Sequence, residues 1–535
     1  MTYSRRDVLA QLAALAATAA LPRVSSVSAF AGGDPLDGTI ADYVAGLRSG
    51  RWSAAGITAR ALERCRTDGV AWRAIDALSA TAVADAQAAD ARRRARKTRG
   101  PLDGVPVFAK AIYDMNGYPT TASNAEWARL FPEPVRRDAL EITRLRAAGG
   151  IVLGKTAADD FAYRGEGTSS HTGQVRNPFD PAGTRTPGGS SAGSAAAVAG
   201  GLAFAALGTD DGGSNRIPAV CTGVVGMKPT FGLVPRTGVI PTWPYLDTHG
   251  PLARSVADAA LMLAAIAGAD SSDPLATGRL LAGTSFAALS EDALKGVRLG
   301  LVEAHVPREK MTAEALTVWD RAVADLRSAG AAVEPFVPSV TLATYRRAFT
   351  DAEKARADVP GNSRSPSATA NALYRYFAGR TNDPLDAVKR GYSAYRSFYD
   401  VLPERFDDCV PLLSQALERD PAGQSFARSR ADVVAALAQA MRAAGITAMV
   451  YPTMPFNAFR LADGWPDIRT PLGYGNWLGL PEVSVPAGLG ADGLPALSLS
   501  VTALPGEDAR VLAFAHAYER QSRRFVPPVR LDRSV

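Results

Sequence analysis

Apolar residues recur every three to four positions through much of the chain, and short continuous apolar runs interrupt that rhythm. The first pattern belongs to helices that bury one face, the second to buried strands. Helical spacing predicts helices over 40–66, 74–96, 139–148, 253–267 and 509–520. Unbroken apolar runs predict strands over 104–110, 151–153, 202–207, 297–302, 448–451, 482–486 and 497–501. Gly149-Gly150 stops one helix just before a strand, and the 164–194 stretch is too rich in Gly, Ser, Thr and Pro for regular structure. Residues 208–214 read as a glycine turn after a small-residue helix at 195–199 and a strand. The stretch 305–440 is mostly helical, with no clear strand signal. This alternation predicts an α/β fold with a central mixed sheet flanked by helices. Its core covers about 36–300 and 445–525, and a helical substrate-cap insertion covers about 305–440.

The beginning of the chain departs from this pattern. Ser4-Arg5-Arg6-Asp7 precedes an apolar run over 8–21, and Ala29-Phe30-Ala31 follows. Paired arginines, a short apolar segment and an Ala-x-Ala end make a twin-arginine export signal over 1–31, cleaved after Ala31. About 14 apolar residues fall short of the roughly 20 that a helix needs to cross a bilayer. The expected location is therefore periplasmic or secreted. The export machinery is an expected partner, and stable membrane insertion is not expected.

Composition narrows the class further. Of 535 residues, 47% are hydrophobic and 21% charged, the balance of a folded globular protein rather than a disordered or membrane chain. Net charge is +6, but the basic residues are scattered. The one cluster, Arg92-Arg93-Arg94-Ala95-Arg96-Lys97, ends an Ala-rich helical stretch and reads as a solvated helix end, not as a nucleic-acid site. Cys65, Cys221 and Cys409 are too few and too far apart for a zinc site or a disulfide framework.

Three motifs compete for the chemistry. Gly149 to Thr156 spells the phosphate-loop pattern G-x4-G-K-T, but its middle is Ile151-Val152-Leu153, which favours a strand over a curled anion cradle. Gly189-Ser190-Ser191-Ala192-Gly193 spells the nucleophile elbow G-x-S-x-G with Ser191 central. No apolar strand precedes it, and His171, His249, His305 and His516 offer no obvious base. The third constellation fits best. Two Gly-Gly-Ser turns, ending at Ser190 and Ser214, are joined by a small-residue helix and a strand, so they can meet at one end of a sheet. Lys110 ends another strand. Without a usable histidine, a buried lysine can act as base once burial lowers its pKa towards neutral. A serine between lysine and nucleophile relays the proton, and glycine-rich backbone can converge N–H groups on an oxyanion.

These residues resemble the amidase signature family. The likeness runs through Arg185-Thr186-Pro187-Gly188-Gly189-Ser190-Ser191, Gly208-Thr209-Asp210-Asp211-Gly212-Gly213-Ser214 and Gly226-Met227-Lys228-Pro229-Thr230. It extends to Gly250-Pro251-Leu252-Ala253-Arg254-Ser255 and Gly479-Leu480-Pro481. The resemblance implies a serine hydrolase of carbon–nitrogen amide bonds, with a small-molecule amide substrate and neither cofactor nor metal. Carbamates and esters are open to the same acyl chemistry, and a non-catalytic periplasmic binding protein is the contrasting class. The resemblance assigns Ser214 as nucleophile, Lys110 as base, and Ser190, after a cis peptide bond, as relay. It makes the backbone N–H groups of Asp211, Gly212, Gly213 and Ser214 the oxyanion hole. Ser191, Asp210 and Arg216 become supporting residues, with charge and proximity pairing Asp210 with Arg216. Ala111, Asp211, Asn215 and Thr222 depart from the family's usual residues. Trp243-Pro244-Tyr245 and Tyr474-Gly475-Asn476-Trp477 offer aromatics either to a substrate pocket or to packing.

Overall fold

A computed structural model describes residues 33–180, 182–278, 285–286, 289–339, 365–466 and 470–528; the expected export segment lies outside them. Eleven of the strands build one mixed sheet. In chain order the strands are β1 Ile75–Leu78, β2 Pro106–Lys110, β3 Ile151–Thr156, a small hairpin of β4 Thr168–Ser169 and β5 Gly173–Gln174, β6 Ala205–Thr209, β7 Val225–Lys228, β8 His249–Ala253, β9 Arg298–Leu301, β10 Ala332–Pro335, β11 Ala448–Pro452, β12 Glu482–Leu489 and β13 Pro495–Thr502. The spatial order is β1-β3-β2-β6-β8-β7-β12-β13-β11-β9-β10, with the hairpin apart from the sheet. Strands β3, β2 and β6 run parallel at the end of the sheet that carries the expected lysine. Every residue of β2, β3, β6, β7 and β8 is buried. Strands covered on both faces need such near-continuous apolar runs.

Several elements differ from their sequence patterns for local reasons. The 40–66 helix is two helices, Ile40–Arg48 and Ala54–Arg64, because Thr39 and Ser53 each cap a new start with a side-chain oxygen. Residues 74–96 contain β1 before the helix Ala82–Arg94. The 202–207 strand sits further along, as β6, and carries Gly208 and Thr209 as strand rather than turn. The 253–267 helix is Val256–Ile266, capped by Ser255, and β8 precedes it. The 305–440 stretch supplies β10, which pairs parallel with β9 at the sheet edge. Its long helix Ala313–Ser328 lies against β12 and β13.

From Ser365 the chain forms four helices, Pro366–Ala378, Pro384–Arg396, Phe406–Leu413 and Pro421–Ala444. They dock on loops at the sheet's end through buried tyrosines. Tyr395 donates its hydroxyl to the carbonyl of Pro241 at 2.7 Å, and Tyr399 to that of Phe161 at 2.6 Å. Trp127, Phe131, Phe161 and Phe377 fill the seam with tilted and edge-on ring pairs. No helix among the described residues is long and apolar enough to cross a membrane. Cys65, Cys221 and Cys409 are buried free thiols.

Candidate active site

Parallel β2 and β6 end side by side, and Lys110 and Thr209 are their last residues. A crevice beyond the carboxyl ends of parallel strands is the common place for a site in such sheets. Lys110 is fully buried. Its Nζ donates to Ser190 Oγ at 2.7 Å and to Thr209 Oγ1 at 2.9 Å. Burial pushes the amine down from its ordinary value to about 8, although Asp211, Asp159, Asp210 and Asp247 pull it up. An amine poised there can take a proton near neutral pH.

The two Gly-Gly-Ser turns do meet. The Gly189–Ser190 peptide bond is cis. A Cβ on Gly189 would run into the Asp159 carboxylate, so only glycine fits. Ser191 ties one turn to the other. Its N–H donates to the carbonyl of Ser214 at 3.2 Å, and its hydroxyl donates to Asn215 Oδ1 at 3.2 Å. The Thr209 N–H in turn donates to that hydroxyl at 3.3 Å. Ser191 is therefore spent on structure, and the helix Ala192–Ala199 leads away from it. Ser214 itself is 7% exposed.

Asp210 and Arg216 hold the second turn from behind. Asp210 accepts Arg216 Nη2 at 2.9 Å and Nε at 3.0 Å, a two-pronged pair with neither side chain exposed. It also accepts the N–H groups of Gly213 at 2.7 Å and Asn215 at 3.1 Å. Burial would raise this carboxyl, but the Arg216 charge and its hydrogen bonds outweigh burial, aided by Lys228 and Asn476. The carboxyl is held well below the usual range. Arg216 reaches on to Glu482 at 2.8 Å and to Asn476 Oδ1 and the Leu472 carbonyl, both at 2.7 Å.

The expected oxyanion donors divide. Gly213, at φ +120°, gives its N–H to Asp210, so that donor is occupied. Among the described residues the N–H groups of Asp211, Gly212 and Ser214 donate to no protein acceptor. A Cβ on Gly212 would meet nothing within 4 Å, so the turn opens on free space there. N–H groups left free in one glycine-rich turn are the kind of donor that can stabilise a developing oxyanion.

The other motifs take structural roles. The phosphate-loop lookalike is β3, where Lys155 Nζ donates to the carbonyl of Pro119 at 2.8 Å and Thr156 Oγ1 pairs with Ser194 Oγ at 2.7 Å. His249 lies in β8 with Nδ1 2.6 Å from Glu141. His305 packs edge-on against Tyr451 and Tyr474. Tyr245 packs on Phe426, as does Trp477, and Asn476 serves the Asp210–Arg216 pair instead of a pocket. Five residues at this site were given no role by the sequence: Thr209 as a lysine partner, Glu482 as the second carboxylate on Arg216, and Asp159, Asp247 and Lys228. Burial pushes Asp159 up to about 6, against backbone N–H groups of Thr168, Gly167 and Glu166 that favour its charge. Burial, helped by Arg216, lowers Lys228 to about 7.

Comparison with known proteins identifies the family. The family profile described as Amidase matches residues 57–512. A glutamyl-tRNA(Gln) amidotransferase subunit from Symbiobacterium thermophilum is 35% identical over 456 residues, 81% of this chain and 86% of that protein. The native peptide amidase of Stenotrophomonas maltophilia superposes with a TM-score of 0.74 at 31% identity, covering 92% of this chain and 98% of that one. An amidase family protein from Bacillus anthracis shares the fold, with a TM-score of 0.72 at 22% identity over 99% of both chains. The chain therefore belongs to the amidase family, the group of the amidase signature, and is an enzyme that acts on amide bonds.

Proposed function

We propose that this enzyme is an exported serine hydrolase of linear amides, with Ser214 as nucleophile, Lys110 as base and Ser190 as relay. The observation that carries this reading is the 2.7 Å bond from a buried, near-neutral amine to the Ser190 hydroxyl. Uncharged Lys110 takes the Ser190 proton while Ser190 takes that of Ser214. The Ser214 oxygen then attacks the amide carbonyl. Charge that develops on the carbonyl oxygen is met by the N–H groups of Asp211, Gly212 and Ser214. The proton returns through Ser190 to the departing amine, and water resolves the acyl-enzyme by the same relay. Ser191, Asp210 and Arg216 hold the two turns together.

The test is labelling with an uncharged serine-reactive phosphonate, followed by peptide mass mapping, with Ser214→Ala as control. Label on Ser214, lost in the control, is the expected result; label on Ser191, or none, overturns the assignment. Export rests on the sequence of residues 1–31. Arg5→Lys with Arg6→Lys is expected to retain the enzyme in the cytoplasm, and an unchanged periplasmic yield would refute the signal.

A further inference from the structure

Asp211 opens the turn that ends at Ser214, and its side chain has nothing to hold. It is 9% exposed, and neither Oδ1 nor Oδ2 accepts a hydrogen bond among the described residues. Asp247 stands beside it, and the two carboxylates can bond each other only by sharing a proton. Asp247 is itself fixed from the far side by the N–H groups of Thr242 at 3.1 Å and Trp243 at 2.6 Å. Lys110 is the neighbouring cation, but its hydrogen bonds go to Ser190 and Thr209. It must also be uncharged to act as a base. In the working state, then, the buried acid pair has no cation bonded to it, since Arg236, the other charge within reach, spends its guanidinium on Asp273 and the Pro244 carbonyl; such a pair is costly to ionise unless a cation arrives. Burial and Asp247 accordingly push the Asp211 carboxyl well above the usual range. Next to it, the free space at Gly212 leaves room for a ligand. On the Asp247 side, the Trp243 ring packs edge-on against Tyr399 at 5.1 Å, and aromatic rings favour an alkylammonium over water.

Resting on Ser214 as the nucleophile, we propose that Asp211, with Asp247 behind it, selects amides that carry a primary ammonium group close to the scissile carbonyl. Proximity follows from covalent structure, because Asp211 contributes an oxyanion N–H and the carboxylate from one residue. The chemical class is thus short aminoacyl amides.

Two isosteric pairs of para-nitroanilides test this: glycyl against propionyl and β-alanyl against butyryl, each exchanging an ammonium for a methyl group. Wild-type kcat/KM is expected to favour the ammonium member of at least one pair by roughly tenfold or more, the scale of a hydrogen bond to a charged group. Asp211→Asn is expected to reduce that ratio by about the same factor, chiefly through KM. Asp247→Asn, which leaves the oxyanion turn untouched, is expected to reduce it by a smaller factor. Phosphonate labelling of Ser214 accompanies each variant as a check on the fold. A labelled wild type with a ratio near one or below overturns the inference alone. So does a labelled Asp211→Asn enzyme that loses both members of a pair equally. An unlabelled wild type overturns the Ser214 assignment, and this inference with it.

Discussion

Asp210 and Asp211 are neighbours in sequence, both buried, and pushed in opposite directions. Asp210 is met by a guanidinium, an amide and two backbone N–H groups, and is held ionised far below the ordinary range. Asp211 meets a second carboxylate and is driven up. Burial acts on both in the same direction, so the difference lies in the donors each one finds. A buried acid that is fully satisfied builds a scaffold, and one left wanting is available for chemistry.

The contrast can be broken most forcefully at Arg216. Arg216→Met leaves Asp210 and Glu482 buried without their cation and is expected to cost about 3–5 kcal/mol of stability, read by chemical denaturation. A loss under about 1 kcal/mol would show that the ion pair is not what holds the turn. Next in size, Lys110→Met is expected to lower kcat by about 10²–10⁴-fold, the usual weight of a general base. Denaturation curves of that variant should stay close to wild type above about pH 8, where the amine it replaces is already uncharged.

The pH profile sharpens the comparison. As the proposed base, Lys110 works deprotonated, so kcat/KM should rise with pH through a midpoint near 8. Asp211 is the first of the charges that hold this amine up, so Asp211→Asn should move the midpoint down; an upward shift would contradict the arrangement. The smallest effect is on stability. Asp210, depressed in the fold, contributes stability that is present above its unfolded pKa of about 3.9 and lost as pH falls. Asp211, raised in the fold, does the reverse: it weakens the fold progressively as pH climbs above that value. Asp211→Asn should therefore gain stability over wild type as pH increases from acid to neutral, a trend that paired urea titrations would reveal.

Much of the site was legible because its chemistry is local. Lys110, the two Gly-Gly-Ser turns and the Asp210–Arg216 pair are each written within a few residues, and periodicity exposed the strands that carry them. What stayed hidden depends on contacts between distant parts of the chain. Glu482 meets Arg216 across 266 positions and Thr209 meets Lys110 across 99, and no spacing rule reaches that far. The occupied N–H of Gly213 was invisible for the opposite reason: the pattern Asp-x-x-Gly allows the bond to Asp210 but does not require it. The missed strands have compositional causes. Strand β8 reads His-Gly-Pro-Leu-Ala, letters that signal a turn. Strand β10 is a four-residue edge ending in Pro335. Strand β1 is half-buried, flows into an alanine-rich helix and borrows its rhythm.

Arg216 also imposes an order on the protein's synthesis. Its anchors at Leu472, Asn476 and Glu482 follow it by 256, 260 and 266 residues, so they leave the ribosome long after it does. A nascent polypeptide that already holds the three proposed catalytic side chains still lacks the struts for the turn that ends at Ser214. Competence to hydrolyse is thereby deferred until that segment has been made, and a chain cut short before residue 472 should be inert.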